Sequence, residues 1–243
     1  MKAFNNILRS EWLKLRKSPI WLLIFVSPAL AFITGLLTPI EIPGADWFYT
    51  LSMMTIVHAL LFLPLLTGIF AAFVCRYEHV GDSWKQLLAL PVSRTNVYMS
   101  KLLLVMIILL VTQLLFLIAL LAVGQIRGFD HAIPWDMLLR GVLGGWIATF
   151  PLAALQIFVS IAWASFAAPL AINVIFTIPN ILIIQSKYGP YYPWAQPILA
   201  MLPSGDTTFG VLNFSLVTLL FVILGSFLAF FVSGLTYFNK KAI

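Results

Sequence analysis

Long stretches without a single charge divide this chain, and they dictate what it can fold into. Crossing about 30 Å of hydrocarbon takes roughly 20 apolar residues, and each unpaired charge at the centre of such a helix costs about 2.5–3.5 kcal/mol. Six runs meet that condition, over about 19–39, 51–75, 102–123, 139–163, 168–186 and 212–238. Hydrocarbon offers backbone groups no partner, so the runs must satisfy their own N–H and C=O groups as helices. The expected fold is therefore all-α: a polytopic membrane protein with six transmembrane helices, forming one transmembrane domain over residues 1–243. A composition of 62% hydrophobic and 9% charged residues excludes an ordinary soluble domain. From Gly141 to Ser186 no residue carries formal charge, and that is too long for one crossing. A boundary is expected at Phe166–Pro169, because proline disfavours helix in the residue before it.

The basic residues set the orientation. Lys2, Arg9, Lys14, Arg16, Lys17, Arg76, Lys85, Arg94, Lys101, Lys240 and Lys241 fall on one side of the six spans; Arg127, Arg140 and Lys187 fall on the other. Eleven against three places both termini in the cytoplasm of a multi-pass plasma-membrane protein. The net charge of +6 thus reads as a topology signal and an attraction to the inner leaflet, with no nucleic-acid partner.

Two polar segments stand out on the basic side. In residues 1–18 the apolar side chains Phe4, Ile7, Leu8, Trp12 and Leu15 recur at three- and four-residue steps, opposite Lys2, Arg9, Lys14 and Lys17. This predicts an amphipathic interface helix lying on the inner leaflet, with Phe4, Leu8, Trp12 and Leu15 as its membrane face. The second segment spans 76–101. Ser83 and Gln86 form a capping box, Pro91 stops the helix after about two turns, and Trp84, Leu87 and Leu88 share one face. Ser93 caps the helix that follows. So short a helix is marginal alone, so its apolar stripe either dips into headgroups or lies in a partner's groove.

Catalytic signatures are missing. No Gly is followed by Lys, so the phosphate loop G-x-x-x-x-G-K-[ST] is absent and no ATP chemistry of that kind belongs to this chain. His58, His79 and His131 fall at three different levels, Cys75 is alone, and no acid lies inside an expected span. These facts argue against a metal site and against proton-coupled transport. His58, Gln113, Gln156, Asn173 and Asn180 are the polar residues within spans. They are candidate cavity-lining residues, or ties between helices.

Residues 11–28, EWLKLRKSPIWLLIFVSP, and 77–103, YEHVGDSWKQLLALPVSRTNVYMSKLL, resemble the permease subunits of type 2 ABC exporters, the ABC-2 family, and within it the bacitracin-resistance and lantibiotic-immunity permeases. The resemblance implies that 78–90 form a coupling helix docking on a separate ABC ATPase, with Glu78, Gly81, Trp84, Lys85, Leu88, Pro91 and Arg94 at pattern positions; Leu87 shares its apolar face. It implies two ATPase copies carrying ATP and Mg, no cofactor on this chain, and a second permease, identical or paralogous. It also implies an external hairpin at 187–211, whose prolines and aromatics, Tyr188, Tyr191, Tyr192 and Trp194, suit broken helices at the outer headgroups. The expected cargo is hydrophobic or amphipathic, with an antimicrobial peptide or similar antibiotic first. The alternatives are an integral membrane lipid-phosphate enzyme and a peptide-sensing subunit that does not transport.

Overall fold

The computed structural model describes residues 2–16, 18–40, 44–79, 84, 86, 92–203 and 216–241. The elements are α1 (Lys2–Arg16), α2 (Ile20–Leu37), α3 (Asp46–Val57), a π-helical stretch (His58–Phe62), α4 (Leu63–His79), α5 (Arg94–Arg127), α6 (Trp135–Ala148), α7 (Phe150–Ala162), α8 (Ala167–Thr177), α9 (Asn180–Ile183), α10 (Gln196–Met201) and α11 (Leu216–Lys240). The described residues form no strand, as expected for an all-α chain.

Local chemistry explains the boundaries. Ser93 is extended at ψ 140° and its hydroxyl accepts from Asn96 N at 3.2 Å, the expected cap of α5. At the other end Gly128 adopts φ 67°, which lets Phe129 N reach Gly124 O at 3.0 Å and close the 34-residue helix. Asp46–His79 is one continuous helical run carrying the π stretch just before Pro64, which has no N–H to donate. The carbonyl that this leaves open, on Leu60, is taken by Asn180 Nδ2 at 2.8 Å.

Five helices among the described residues are long and apolar enough to cross a membrane: Ile20–Leu37, Asp46–His79, Arg94–Arg127, Trp135–Ala162 and Leu219–Lys240. The segment expected as a further full span, 168–186, differs. Ala167–Ile183 is a shorter apolar helix, interrupted at Ile178–Pro179. At 1.5 Å per residue it reaches roughly 26 Å, short of the hydrocarbon thickness. The chain leaves α7 at Ala162 and restarts at Ala167, so the break precedes the expected Phe166–Pro169 by about three residues.

The run Asp46–His79 lies at the centre, with α5, α7 and α8 packed against α4. On the flanks α2 packs along α5, and α11 along α7. Their outward faces are apolar: Leu22, Leu37 and Phe221 are each more than 70% exposed. Such surface is stable in lipid and would not be in water.

Of the segment expected as an external hairpin, 187–211, residues 187–203 turn in against the bundle, and 204–211 lie outside the described residues. Tyr188 and Tyr191 stay exposed, but Trp194, Gln196, Ile198 and Met201 are buried. Glycines on α6 make this possible. A Cβ at Gly144 would stand 3.1 Å from Ala200 O, and one at Gly145 only 2.3 Å from Met201 Cγ. Without side chains there, α10 lies directly on α6. Trp194 therefore does not belong to the interfacial belt in which the sequence places it.

Candidate functional site

Two polar clusters lie inside this apolar bundle. The first sits at the end where the termini meet. Lys101 of α5 is fully buried, and its ammonium donates to Glu11 Oε2 at 2.8 Å, Glu78 Oε2 at 2.7 Å and Val74 O at 2.8 Å. An ammonium has three donors, so every one is used. The other carboxylate oxygens turn to Lys14 Nζ, each at 2.6 Å. Two acids and two lysines thus alternate in a closed ring spanning α1, α4 and α5. The ring is neutral overall, with Glu11, Glu78 and Lys101 at 0–2% side-chain exposure and Lys14 at 30%. Buried charges persist only when paired and hydrogen-bonded in this way.

Trp84, from the segment after α4, covers the ring. Lys101 Nζ lies 5.7 Å from its ring centroid, and its indole packs edge-on to Phe238 at 5.2 Å and His79 at 5.8 Å. The Trp84 N–H donates to His79 Nδ1 at 3.3 Å, and the other imidazole nitrogen meets Ser160 O at 2.7 Å. An indole only donates and a carbonyl only accepts, so His79 holds its proton on Nε2. Arg94, at the start of α5, reaches the C-terminal end of α11. Its Nη1 donates to Phe238 O at 2.9 Å, Asn239 O at 3.2 Å and Lys241 O at 2.7 Å, capping carbonyls that have no helical partner. Lys241 Nζ in turn donates to Ile161 O at 2.7 Å. Five helices, α1, α4, α5, α7 and α11, are therefore tied together where the 76–101 segment leaves and re-enters the bundle.

Several expected contact residues take a different place here. Glu78 and Trp84 face inward, and Arg94 is spent on the chain's own terminus. Gly81, Lys85, Leu87, Leu88 and Pro91 lie outside the described residues. On α1 the bundle-facing stripe is Ile7, Glu11 and Leu15, one step round from the expected Phe4, Leu8, Trp12 and Leu15 face. Of that face Leu15 is buried, Phe4 and Leu8 are half-buried, and Trp12 is exposed, edge-on to Trp21 at 5.1 Å. The rotation has a cause: Glu11 must turn inward to meet Lys101.

Sequence reasoning passes over Glu11 and Lys101 as ring members. A signal is present. Glu11 falls four residues from Ile7 and from Leu15, and Lys101 four from Val97 and from Val105, so each charge sits on an apolar stripe at helical spacing.

The second cluster lies near mid-span and is neutral. His58 Nδ1 accepts from Ser27 Oγ at 2.6 Å, its Nε2 meets Gln113 Oε1 at 3.3 Å, and its ring stacks on Phe116 at 4.3 Å. Asn173 Nδ2 donates to Pro64 O and Leu65 O, both at 3.1 Å; its Oδ1 accepts from Gln156 Nε2 at 3.0 Å and Trp194 Nε1 at 2.8 Å. Gly68 makes room for it, since a Cβ there would lie 2.2 Å from Asn173 Nδ2. His58, Gln113, Gln156, Asn173 and Asn180 are thus closed into ties between helices, at 0–1% exposure, rather than lining an open cavity. Asn180 fills the carbonyl that Pro64 leaves open, and the others brace the continuous central run against its neighbours.

Comparison with known proteins agrees with this architecture. The model of the ABC-2 family transporter protein matches residues 7–180, which covers most of α1, the ring, the 76–101 segment and the mid-span ties up to Asn180. The bacitracin transport permease protein BCRB of Bacillus licheniformis is 26% identical over 133 residues, 54% of this chain and 64% of that protein. The match therefore spans somewhat under two thirds of that relative's length. A multi-pass helical bundle without a phosphate loop, matched by the family model over more than half its length, belongs to the ABC-2 family of transporter proteins.

Proposed function

We propose that this chain is the membrane permease of an ATP-driven exporter, with both termini and the 76–101 segment in the cytoplasm. A separate ABC ATPase, in two copies carrying ATP and Mg, supplies the energy, and a second permease, identical or paralogous, completes the pathway. The cargo is a hydrophobic or amphipathic molecule, first a peptide antibiotic of the bacitracin kind, and its removal gives resistance or self-immunity.

The observation that carries this reading is the ring of Glu11, Lys14, Glu78 and Lys101. The two helices that flank the coupling segment, α4 and α5, are locked to each other and to α1 by charges that cannot be separated cheaply in a low-dielectric site. A push on the segment would move three helices as one body. The bundle has no motor of its own, so rigidity at this point is what lets an external one act on it. In this reading Leu87 and Leu88 meet the ATPase from outside, while Trp84 transmits from inside.

The test is to co-purify the chain with a candidate phosphate-loop ATPase in nanodiscs and to measure ATP hydrolysis with and without bacitracin. Stimulation is expected, with loss of ATPase association in Leu88→Asp. Trp84→Asp should keep association and lose stimulation. An ATPase that neither associates nor responds would favour the enzyme reading, to be checked by lipid-phosphate hydrolysis. Protection of a sensitive host that survives an ATPase-dead partner would favour the sensor.

A further inference from the structure

Beside the ring, but separate from it, a cavity of about 130 Å³ opens between α4, α7 and the start of α8. It is lined on one side by Arg76 and His79 at the end of α4, and on the other by Ser160, Ser165 and Phe166. The guanidinium of Arg76 sits 5.4 Å from the centroid of the Phe166 ring, which holds it at this junction. Ser160 is 2% exposed, and its buried hydroxyl has no hydrogen-bond partner. Ser165 Oγ accepts from Ala167 N at 3.2 Å, which leaves its own O–H free to donate. His79 gives nothing to an occupant, because both its nitrogens are committed to Trp84 and Ser160 O.

The cavity therefore presents a guanidinium and the Ser165 hydroxyl, with the unpartnered Ser160 hydroxyl buried in its wall, and no carboxylate among the residues lining it. The positive end of α8, an eleven-residue helix, adds to the same sign. This donor set suits an anion, and a phosphate above others, because a guanidinium matches its oxygens in paired fashion. The cavity is well below the several hundred Å³ that hold a drug-sized molecule, so it takes a headgroup and not a whole amphiphile.

Its surroundings indicate where the phosphate comes from. The remaining wall is apolar, with Ala72, Ala164 and Pro169, and Phe73 packs edge-on to Phe166 at 5.2 Å. Trp163, between α7 and α8, is 48% exposed, the position of an aromatic side chain at a headgroup boundary. We infer that this junction is a binding site for the phosphate of an anionic phospholipid, in the leaflet at the end carrying both termini. The acyl chains would run along the apolar outer faces while the phosphate is held between Arg76 and the serines. The lipid would then wedge α4 against α7, next to the His79 bridge from Trp84 to Ser160. The inference stands apart from the transport reading, since it needs neither cargo nor ATPase.

Native mass spectrometry of the full chain in detergent tests it, by titrating phosphatidylglycerol into delipidated protein with inorganic phosphate as competitor. One retained lipid per chain is expected. Arg76→Gln should weaken retention at least tenfold, and Ser160→Ala three- to tenfold. Arg140→Gln, which removes an exposed cation at the opposite end, should leave it unchanged. Retention that is equal in wild type and Arg76→Gln, or lowered as much by Arg140→Gln, overturns the site. Inorganic phosphate that binds alone and displaces the lipid at equal concentration overturns the lipid source. Arg76 is exposed, so its variant should fold; an unchanged thermal midpoint confirms that loss of lipid is not loss of structure.

Discussion

The bundle handles polarity in two ways, and the contrast between its end and its middle is instructive. At the end that carries both termini, full charges are buried in an alternating ring. Among the described residues the mid-span cluster is made of neutral groups, His58, Gln113, Gln156, Asn173 and Asn180. Desolvating a charge is most costly at the centre of a span and falls toward the interface. The ring can form because Lys14 keeps 30% of its side chain exposed, so the cluster is never wholly dry. The neutral cluster acts differently, capping the Leu60 carbonyl that Pro64 leaves open and adding bonds from Asn173 to Pro64 O and Leu65 O. Charges lock three helices together at one end; neutral groups tie the remaining helices to the central run where it carries its π stretch.

The largest effect is expected at the ring. Lys101→Met would leave Glu11 and Glu78 facing each other with only Lys14 between them, and should cost about 3–5 kcal/mol. The measurement is the loss of thermal stability in detergent, and Glu78→Gln combined with Lys101→Met should recover part of it. If the single variant is as stable as wild type, the ring does not hold the helices.

Asn173→Ala comes next. It removes two donated and two accepted hydrogen bonds, but neutral ones, at an expected cost of about 1–3 kcal/mol. Gly68→Ala should cost a similar amount by expelling the Asn173 side chain, so the double variant should be clearly less damaging than the sum. Additive losses would mean that Gly68 serves some purpose other than making room.

Arg94→Gln should be milder, at roughly 1 kcal/mol, because water can reach part of the α11 end that it caps. Amide hydrogen exchange of residues 236–241 should speed up while the middle of α11 is unaffected. The smallest effect is expected for Asp136→Asn. Its pair with Arg140 at 2.9 Å is about three-quarters exposed on both sides, so its loss should change stability by less than about 0.5 kcal/mol. Exposed and buried ion pairs in one chain would then differ several-fold in their contribution to stability.

Much of the fold is legible in the sequence because it rests on one-dimensional properties. Charge-free runs mark the helices, Ser93 marks the start of α5, and the basic bias marks the end where α1, Arg94 and the C-terminus meet. The failures share a cause. The length of 168–186 suggests one unbroken helix, but Pro179 interrupts it and leaves Ala167–Ile183 as a shorter apolar helix followed by the turn at Trp194. Glu11 looks incidental on a basic helix because its buried partner, Lys101, lies 90 residues away. Trp194 reads as part of an outer aromatic belt because the partners that bury it, Asn173 and Phe176, lie about 20 residues earlier on α8.

The sequence by itself determined that this chain lives in a membrane as helices, that its basic end differs from its other end, and that it carries no phosphate loop. Each follows from the solvation cost of single residues or from a local pattern, and needs no knowledge of neighbours. Only the tertiary structure decided that Glu11, Lys14, Glu78 and Lys101 form one ring, that Trp84 closes over it, and that the mid-span amides tie other helices to the central run. Those outcomes depend on which helices touch, and in lipid, where apolar faces are nearly equivalent, the register of contact is set by close-packed small residues and rare polar partners.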